Sequence, residues 1–324
     1  MSKEEDIVVR AKRFIEAQEK RNTSVCTDRD VRNFREFLQA KFELRAIEDI
    51  EPNELDIYLS EYYMDAKKAG GGEYEPETLQ MRKSSLNRYL RKAGYPHDLN
   101  DTTLFNMSNQ MLAAKKKSLK SKGQGNRPYA SRAVTNAEED TLWVQQQFGY
   151  DTPRQLQFTL WYFFTKCFGL RGRDEHRQLK FGDIELVSHE DRKYLTFNER
   201  TTKTRDGAGR SDRRENKPRL YSIGTNRDPV RAYEVFLQHR PASMNVPDAP
   251  FYLSVMPDTK IAANGEGDWF YPRPMGKNTL GDMMKKSSME AGIQKKTNHS
   301  ARKSTVHSLR KAGVPPHKVM QVPI

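Results

Sequence analysis

Three things are scarce in this chain of 324 residues: cysteine, long apolar runs and acidic charge. The two cysteines, Cys26 and Cys167, stand far apart with no metal-ligand spacing around them. That pattern excludes a disulfide scaffold and a structural zinc site, and it fits reduced thiols in an intracellular protein. No apolar run approaches the ~20 residues needed to cross a bilayer. The opening "MSKEEDIVVRAKRF" has no apolar h-region, so neither secretion nor membrane insertion is expected. Also missing are a P-loop, a dinucleotide fingerprint and a Cys/His cluster; the glycines of "GAGRSDRREN" lack the spacing of a phosphate-cradling loop. Neither a cofactor nor a metal is called for, and Asp174, Glu175 and Asp183, though close in sequence, bring no partners that would make them a metal site.

The acidic deficit is the informative one. Lys and Arg number 56 against 43 Asp and Glu, a net charge of +13. An excess of that size favours a polyanionic partner, and nucleic acid is the commonest inside cells. Hydrophobic residues make up 35% of the chain and recur at helical spacing, which indicates a folded protein. No internal repeat is evident.

The first third reads as a helical module. In "TDRDVRNFREFLQAKFE", Thr27 is the capping candidate, and Val31, Phe34, Leu38 and Phe42 share one face. A second helix carries Leu55, Leu59 and Tyr62 and stops at Gly70–Gly72. A third turns Leu79, Leu86, Tyr89 and Leu90 inward and ends at Gly94 and Pro96. Its other face carries Arg82, Lys83, Arg88 and Arg91. Composition then shifts: "AAKKKSLKSKGQGNRPYASRAV" holds five lysines from Lys115 to Lys122, no acid, and then Gly123, Gly125 and Pro128. It reads as a flexible basic linker over residues 113–134 whose lysines could also direct nuclear import. The organisation expected is a helical domain over 1–112, that linker, and a second domain over 135–324.

The second domain opens with a capped helix, "TNAEEDTLWVQQQFG". A long apolar helix follows, breaking at "FGLRG" into a further helical stretch through "DEHRQLKFGDIEL". Strands are expected in "KYLTFNERTTKTR" and "KPRLYSI", then a helix around "DPVRAYEVFLQHR", an irregular segment through Tyr271, and two final helices. The fold class is therefore mainly α with a small antiparallel β-sheet, α+β.

Four cationic residues stand in distinctive settings. Arg171 follows an apolar helix whose burial would fix its position. Lys203 ends a strand-like run in "TTKTR". His299 and Arg302 form HxxR, with i,i+3 spacing that puts both on one helix face. Guanidinium pairs grip phosphate oxygens bidentately, a lysine can protonate an alkoxide leaving group, and a histidine can neutralise the transition state. Together they form a kit for phosphodiester chemistry without a metal. Arg82, Lys83, Arg88, Lys115, Lys116 and Lys117 are the further candidates for contact with DNA.

"FGLRGRDEHRQLKFGDIEL", the "TKT" lysine, "TNHSAR", "RKAGV" and "VMQ", in that order, resemble the tyrosine recombinase (phage-integrase) family, and its Crypton-type eukaryotic branch most. The resemblance implies a SAM-like core-binding domain followed by a tyrosine-recombinase catalytic domain, clamped on double-stranded DNA in the nucleus and able to assemble as a homo-oligomer on it. It implies Arg171, Lys203, His299 and Arg302 as catalytic residues. The stretch from Arg171 to Asp183 is one residue longer than the family's, which makes Arg173 a second candidate for the first arginine. The family's nucleophilic tyrosine lies after HxxR, whereas here the last tyrosine is Tyr271 and "VMQ" is followed by "VPI". The expectation is a DNA-binding protein derived from a tyrosine recombinase, truncated before that tyrosine and unable to cleave and rejoin DNA. The alternative is an incomplete chain of an active recombinase or transposase, and a third reading is a protein-interaction module. An apolar patch is expected near Val314, Val319 and Met320.

Overall fold

A computed structural model describes residues 21–68, 70–125, 131–171, 173–200, 217–263 and 267–315, together with Arg10 and Phe14. Lys203, His317, Val319 and Met320, and with the last two most of the expected apolar patch, lie outside these residues. The chain divides into two compact units, Met1–Tyr129 and Ala130–Ile324. Its class is α+β, helices with small antiparallel sheets.

The first unit holds α1 (Arg21–Ala40), α2 (Pro52–Asp65), α3 (Pro76–Ala93) and α4 (Asn106–Ser121) around one apolar core. Val31, Phe34 and Leu38 are buried as their spacing requires, each fully buried side chain contributing about 1.5–3 kcal/mol. Phe42, expected on the same stripe, is 92% exposed. It takes the left-handed conformation, with a φ of 60°, that closes the end of α1, where the Glu43 amide donates to the Leu38 carbonyl (3.0 Å). That reversal turns its side chain out of the stripe. Thr27 does not start a helix either. α1 begins earlier, and the Thr27 hydroxyl back-bonds to the Thr23 carbonyl (2.9 Å) inside it. α3 ends as expected at Gly94, whose φ of 86° is costly for any residue with a Cβ.

The linker expectation is corrected over its first half. Residues 113–121 belong to α4. Leu112 and Leu119, seven apart, face the core, and lysine is a good helix former on the side turned away. The Asp56 carboxylate of α2 caps α4 by accepting from the Met107 (3.0 Å) and Ser108 (2.8 Å) amides.

The second unit begins with α5 (Asn136–Val144), where Thr135 and Glu138 form the expected capping box. α6 (Pro153–Phe163) is buried on most sides and runs into a five-residue π-helical turn, Phe164–Phe168, which ends at Gly169 in the left-handed region (φ 72°). The helical reading through "DEHRQLKFGDIEL" is also corrected: α7 covers only Asp174–Gln178, and Ile184–His189 is strand β1. Asp183 accepts from the Lys180 amide (2.8 Å), and Gly182 sits where a Cβ would be 2.9 Å from the Pro247 backbone, so the chain turns there. β2 (Arg192–Phe197) pairs antiparallel with β1 and with β3 (Arg219–Tyr221), giving the order β1-β2-β3. α8 (Pro229–Gln238) is capped by Asp228. The segment expected to be irregular contains a second small sheet, β4 (Leu253–Val255) with β5 (Phe270–Pro274), and the short α9 (Asp258–Ala263) between them. α10 (Lys277–Glu290) and α11 (Asn298–Lys311) follow.

His176, on α7, is buried in this core between the Thr165 hydroxyl and the Tyr252 hydroxyl, both 2.9 Å away, with its ring against Trp161. Burial pushes it down to about 3 from an ordinary 6.5. It is therefore neutral in the fold but takes up a proton on unfolding below pH 6.5. Stability from this group is complete above that pH and declines as pH falls toward 3. The second unit is expected to be about 2 kcal/mol less stable at pH 5 than at pH 7 on this account. Urea denaturation at the two pH values, monitored by tryptophan fluorescence, checks it, since all three tryptophans lie in that unit.

Candidate phosphate-binding clefts

The N-terminal half of α11 is held into the second unit by polar contacts made from its buried face. Ser304 accepts from the Val134 amide (2.8 Å), and Thr305 donates to the Lys166 carbonyl (2.8 Å). Just before the helix, Lys296, only 3% exposed, pairs with Glu138 (2.7 Å) and donates to the Ala133 carbonyl (3.1 Å). Arg302 is also 3% exposed, and its Nη1 donates to the Gly169 carbonyl (2.7 Å). This last bond ties α11 to the end of the π-helical turn, two residues before Arg171. A sequence separation of 133 residues is thereby closed into one site.

Arg171, Arg173, His299 and Arg302 line one open cleft of about 490 Å³, with Gly281, Thr297 and Asn298 completing the wall. Glu175 positions Arg171: its carboxylate accepts from the Arg171 amide (2.6 Å) and lies 3.4 Å from Nη1. Arg173 lies across Gly281 of α10, where a Cβ would come within 3.0 Å of its side chain. Asn298 donates to the Leu280 carbonyl (2.8 Å), fixing the start of α11 against α10. His299 is exposed, and its pKa is lowered by partial desolvation first, then by the cations Lys303 and Arg302. Those neighbours leave the imidazole short of negative charge. The cleft thus combines guanidinium donors with the amino end of a 14-residue helix, a suitable environment for a phosphate. Among the described residues its lining includes one hydroxyl, Thr297, and no Tyr, Ser or Cys. A second cleft of about 330 Å³ lies along α11, where Lys303, His307 and Arg310 join His299 and Arg302.

The carboxylates set aside as a metal site are dispersed into ion pairs. Glu175 pairs with Arg171, Asp174 with Lys277 (3.4 Å) and Asp183 with Arg200 (2.6 Å). Among the described residues no group of three or more His, Cys, Asp or Glu could hold a metal ion, and no helix is long and apolar enough to cross a membrane.

In the first unit the expected basic face of α3 is only partly formed. Arg82 is 7% exposed: it donates to the Tyr62 and Tyr74 hydroxyls (both 2.6 Å) and stacks over the Tyr74 ring, so it is an interior residue. The reason is the stripe of tyrosines on α2 and before α3, which offers a guanidinium both ring faces and acceptors. Lys83 is also buried, donates to Asn109, and has its pKa lowered by desolvation, yet it borders a cleft of about 460 Å³. Lys116, Lys117 and Lys120 line the same cleft, with no acid among the described residues of its walls. Lys115 is turned away, donating to the Met64 carbonyl (2.9 Å) and lying 3.5 Å from Glu73. Arg88 is exposed and bonds the Thr27 hydroxyl. Lys120 was missed because 113–134 read as linker; as helix, it follows Lys116 at i+4.

Three comparisons with known proteins bear on these sites. Residues 133–289 match the model of the Domain of unknown function (DUF3504). The human Zinc finger MYM-type protein 3 is 28% identical over 254 residues, covering 71% of this chain and 17% of that protein. The human Transcriptional regulator QRICH1 is 23% identical over 246 residues, 71% of this chain and 30% of that protein. The chain thus spans under a third of the length of these curated relatives. Among solved structures, a lambda integrase dimer bound to a COC′ core site aligns over 96% of this chain and 70% of its own, at 15% identity and a TM-score of 0.44.

Because Arg302 satisfies a buried carbonyl, its removal is expected to cost fold as well as binding. Arg302→Ala should destabilise the second unit by about 2–4 kcal/mol, whereas His299→Ala, at an exposed position, should change it by less than about 0.5 kcal/mol. Chemical denaturation of the two variants separates these outcomes.

Proposed function

We propose that this chain binds double-stranded DNA through its phosphates, using the Arg171–Arg173–His299–Arg302 cleft of the second unit and the lysine cleft of the first. The observation that carries the reading is the convergence of three arginines and a histidine, from two segments far apart in sequence, on one open cleft. Surface lysines scattered by chance would not be backed by a buried clip such as Arg302 on Gly169. The scaffold is read as that of a Crypton-type tyrosine recombinase: a SAM-like core-binding unit and a catalytic unit in which Arg171, His299 and Arg302, with Lys203, descend from catalytic positions. The activity proposed for this cleft is grip on the phosphates of a duplex, the chemistry that its guanidinium and imidazole groups supply. The names of the similar proteins, a zinc finger protein and a transcriptional regulator, support a DNA-associated regulatory role and a nuclear location.

Binding of this kind releases counterions. For six or more phosphate contacts, affinity for a duplex should fall by about 10³-fold or more between 50 and 200 mM salt. The double variant Arg173→Ala/His299→Ala is expected to weaken binding about tenfold and flatten the salt slope by roughly one to two contacts. A phosphate beside His299 stabilises the imidazolium, so its pKa rises on binding and affinity should increase as pH is lowered from 7.5 to 5.5. Fluorescence anisotropy on a labelled duplex reads all three. A flat salt response, or unchanged affinity in the double variant, overturns the reading in favour of a protein-interaction module. A covalent adduct on a nicked duplex favours strand transfer over grip alone.

A further inference from the structure

The outward face of the β1-β2-β3 sheet belongs to neither cleft. Alternation along the strands puts Ile184, Leu195 and Phe197 into the core, and the register places Val187, Tyr194 and Tyr221 in a row on the opposite side. His189 and Arg192 face each other at one end of that surface and Arg219 lies beside the tyrosines; among the described strand residues Glu185 is the one acid on this face. Tyr194 and Tyr221 have ring centroids 5.2 Å apart, and the Arg219 guanidinium sits 5.1 Å from the Tyr194 ring centre. Tyr221 is 40% exposed on an edge strand and borders a cleft of about 520 Å³ with Asp191, Arg192, Lys193 and Ser222. Lys193 itself is engaged by Glu234 (2.8 Å).

Two adjacent tyrosines on an exposed sheet face do nothing for the core, which lies on the other side. Their planar rings and the neighbouring cations match the two parts of an unpaired nucleotide: a base that stacks and a phosphate that is neutralised. A base inside a duplex has no free ring face to offer, so the match is to a single strand. We infer that this face is a stacking platform for single-stranded nucleic acid, a second binding activity made by Tyr194, Tyr221, Arg192 and Arg219, residues absent from both proposed duplex-binding clefts.

The test compares three labelled probes of equal length by anisotropy, in the full chain at moderate salt: oligothymidylate, the same strand with abasic residues, and a duplex. The unmodified protein is expected to bind oligothymidylate about tenfold more tightly than the abasic strand, the size of one stacked base. Tyr221→Ala should remove that preference, and Tyr221→Phe, which keeps the ring, should retain it. Duplex affinity should be the same in all three proteins. Equal affinity of the unmodified protein for the normal and abasic strands overturns the inference without any variant. So does a Tyr221→Ala loss of equal size on single strand and duplex. Should Tyr221→Ala unfold the edge strand, Arg219→Ala is the second variant, expected to weaken oligothymidylate and leave the duplex unchanged. A failure of duplex binding itself, seen only with the duplex probe, would count against the cleft proposal and not against this one.

Discussion

A single buried guanidinium organises the second unit. Arg302 sits on the inner face of α11 and donates to the carbonyl of Gly169, the residue that ends the π-helical turn after α6. A helix interior leaves its own carbonyls bonded. A π-turn closed by a left-handed glycine aims one outward, and a charged donor satisfies it at about twice the strength of a neutral one. The same turn delivers Arg171, and the same helix delivers His299 one turn before Arg302. Geometry at the cleft thus follows from a structural bond behind it, reinforced by Ser304 on Val134 and Lys296 on Glu138.

The two clefts reach similar electrostatics by different routes. In the second unit, Glu175 holds Arg171, and the missing side chain of Gly281 leaves room for Arg173. The first unit relies on concentration, with Lys116, Lys117 and Lys120 on one helix beside the buried Lys83. Desolvation lowers the pKa of Lys83 and of His299, which is the physical cost of drawing cations together where water is thin. A phosphate that enters either cleft relieves that cost.

Much of the architecture was legible beforehand. The stripes of α1, α2 and α3, the capping box at Thr135 and Glu138, and the breaks at Gly94 and Gly169 all follow from local periodicity and backbone chemistry. Misreadings fall where a distant residue decides. Thr27 is a good cap in isolation, but the helix extends past it and its hydroxyl serves Arg88. The lysine run resembled a linker because its two apolar anchors, Leu112 and Leu119, are separated by seven residues and meet a core built by other helices. Asp183 and Gly182 convert a helical-looking stretch into a turn and strand through contacts with Lys180 and Pro247. Arg82, three residues after Leu79 and four before Leu86 on α3, lies on the apolar stripe itself, and the Tyr62 and Tyr74 hydroxyls satisfy its guanidinium there.

What the sequence by itself determined is the basic surplus and the residue types that the proposed phosphate contacts would use. A charge of +13 and the HxxR spacing on a late helix are both written along the chain. Only the tertiary structure decided which cations share a cleft, which are consumed by the fold, and which face of the β-sheet shows two tyrosines to solvent. The reason is the range of the forces involved. Hydrophobic period and backbone preference act over a few residues and are written along the chain, whereas burial of a charge depends on every segment that closes around it.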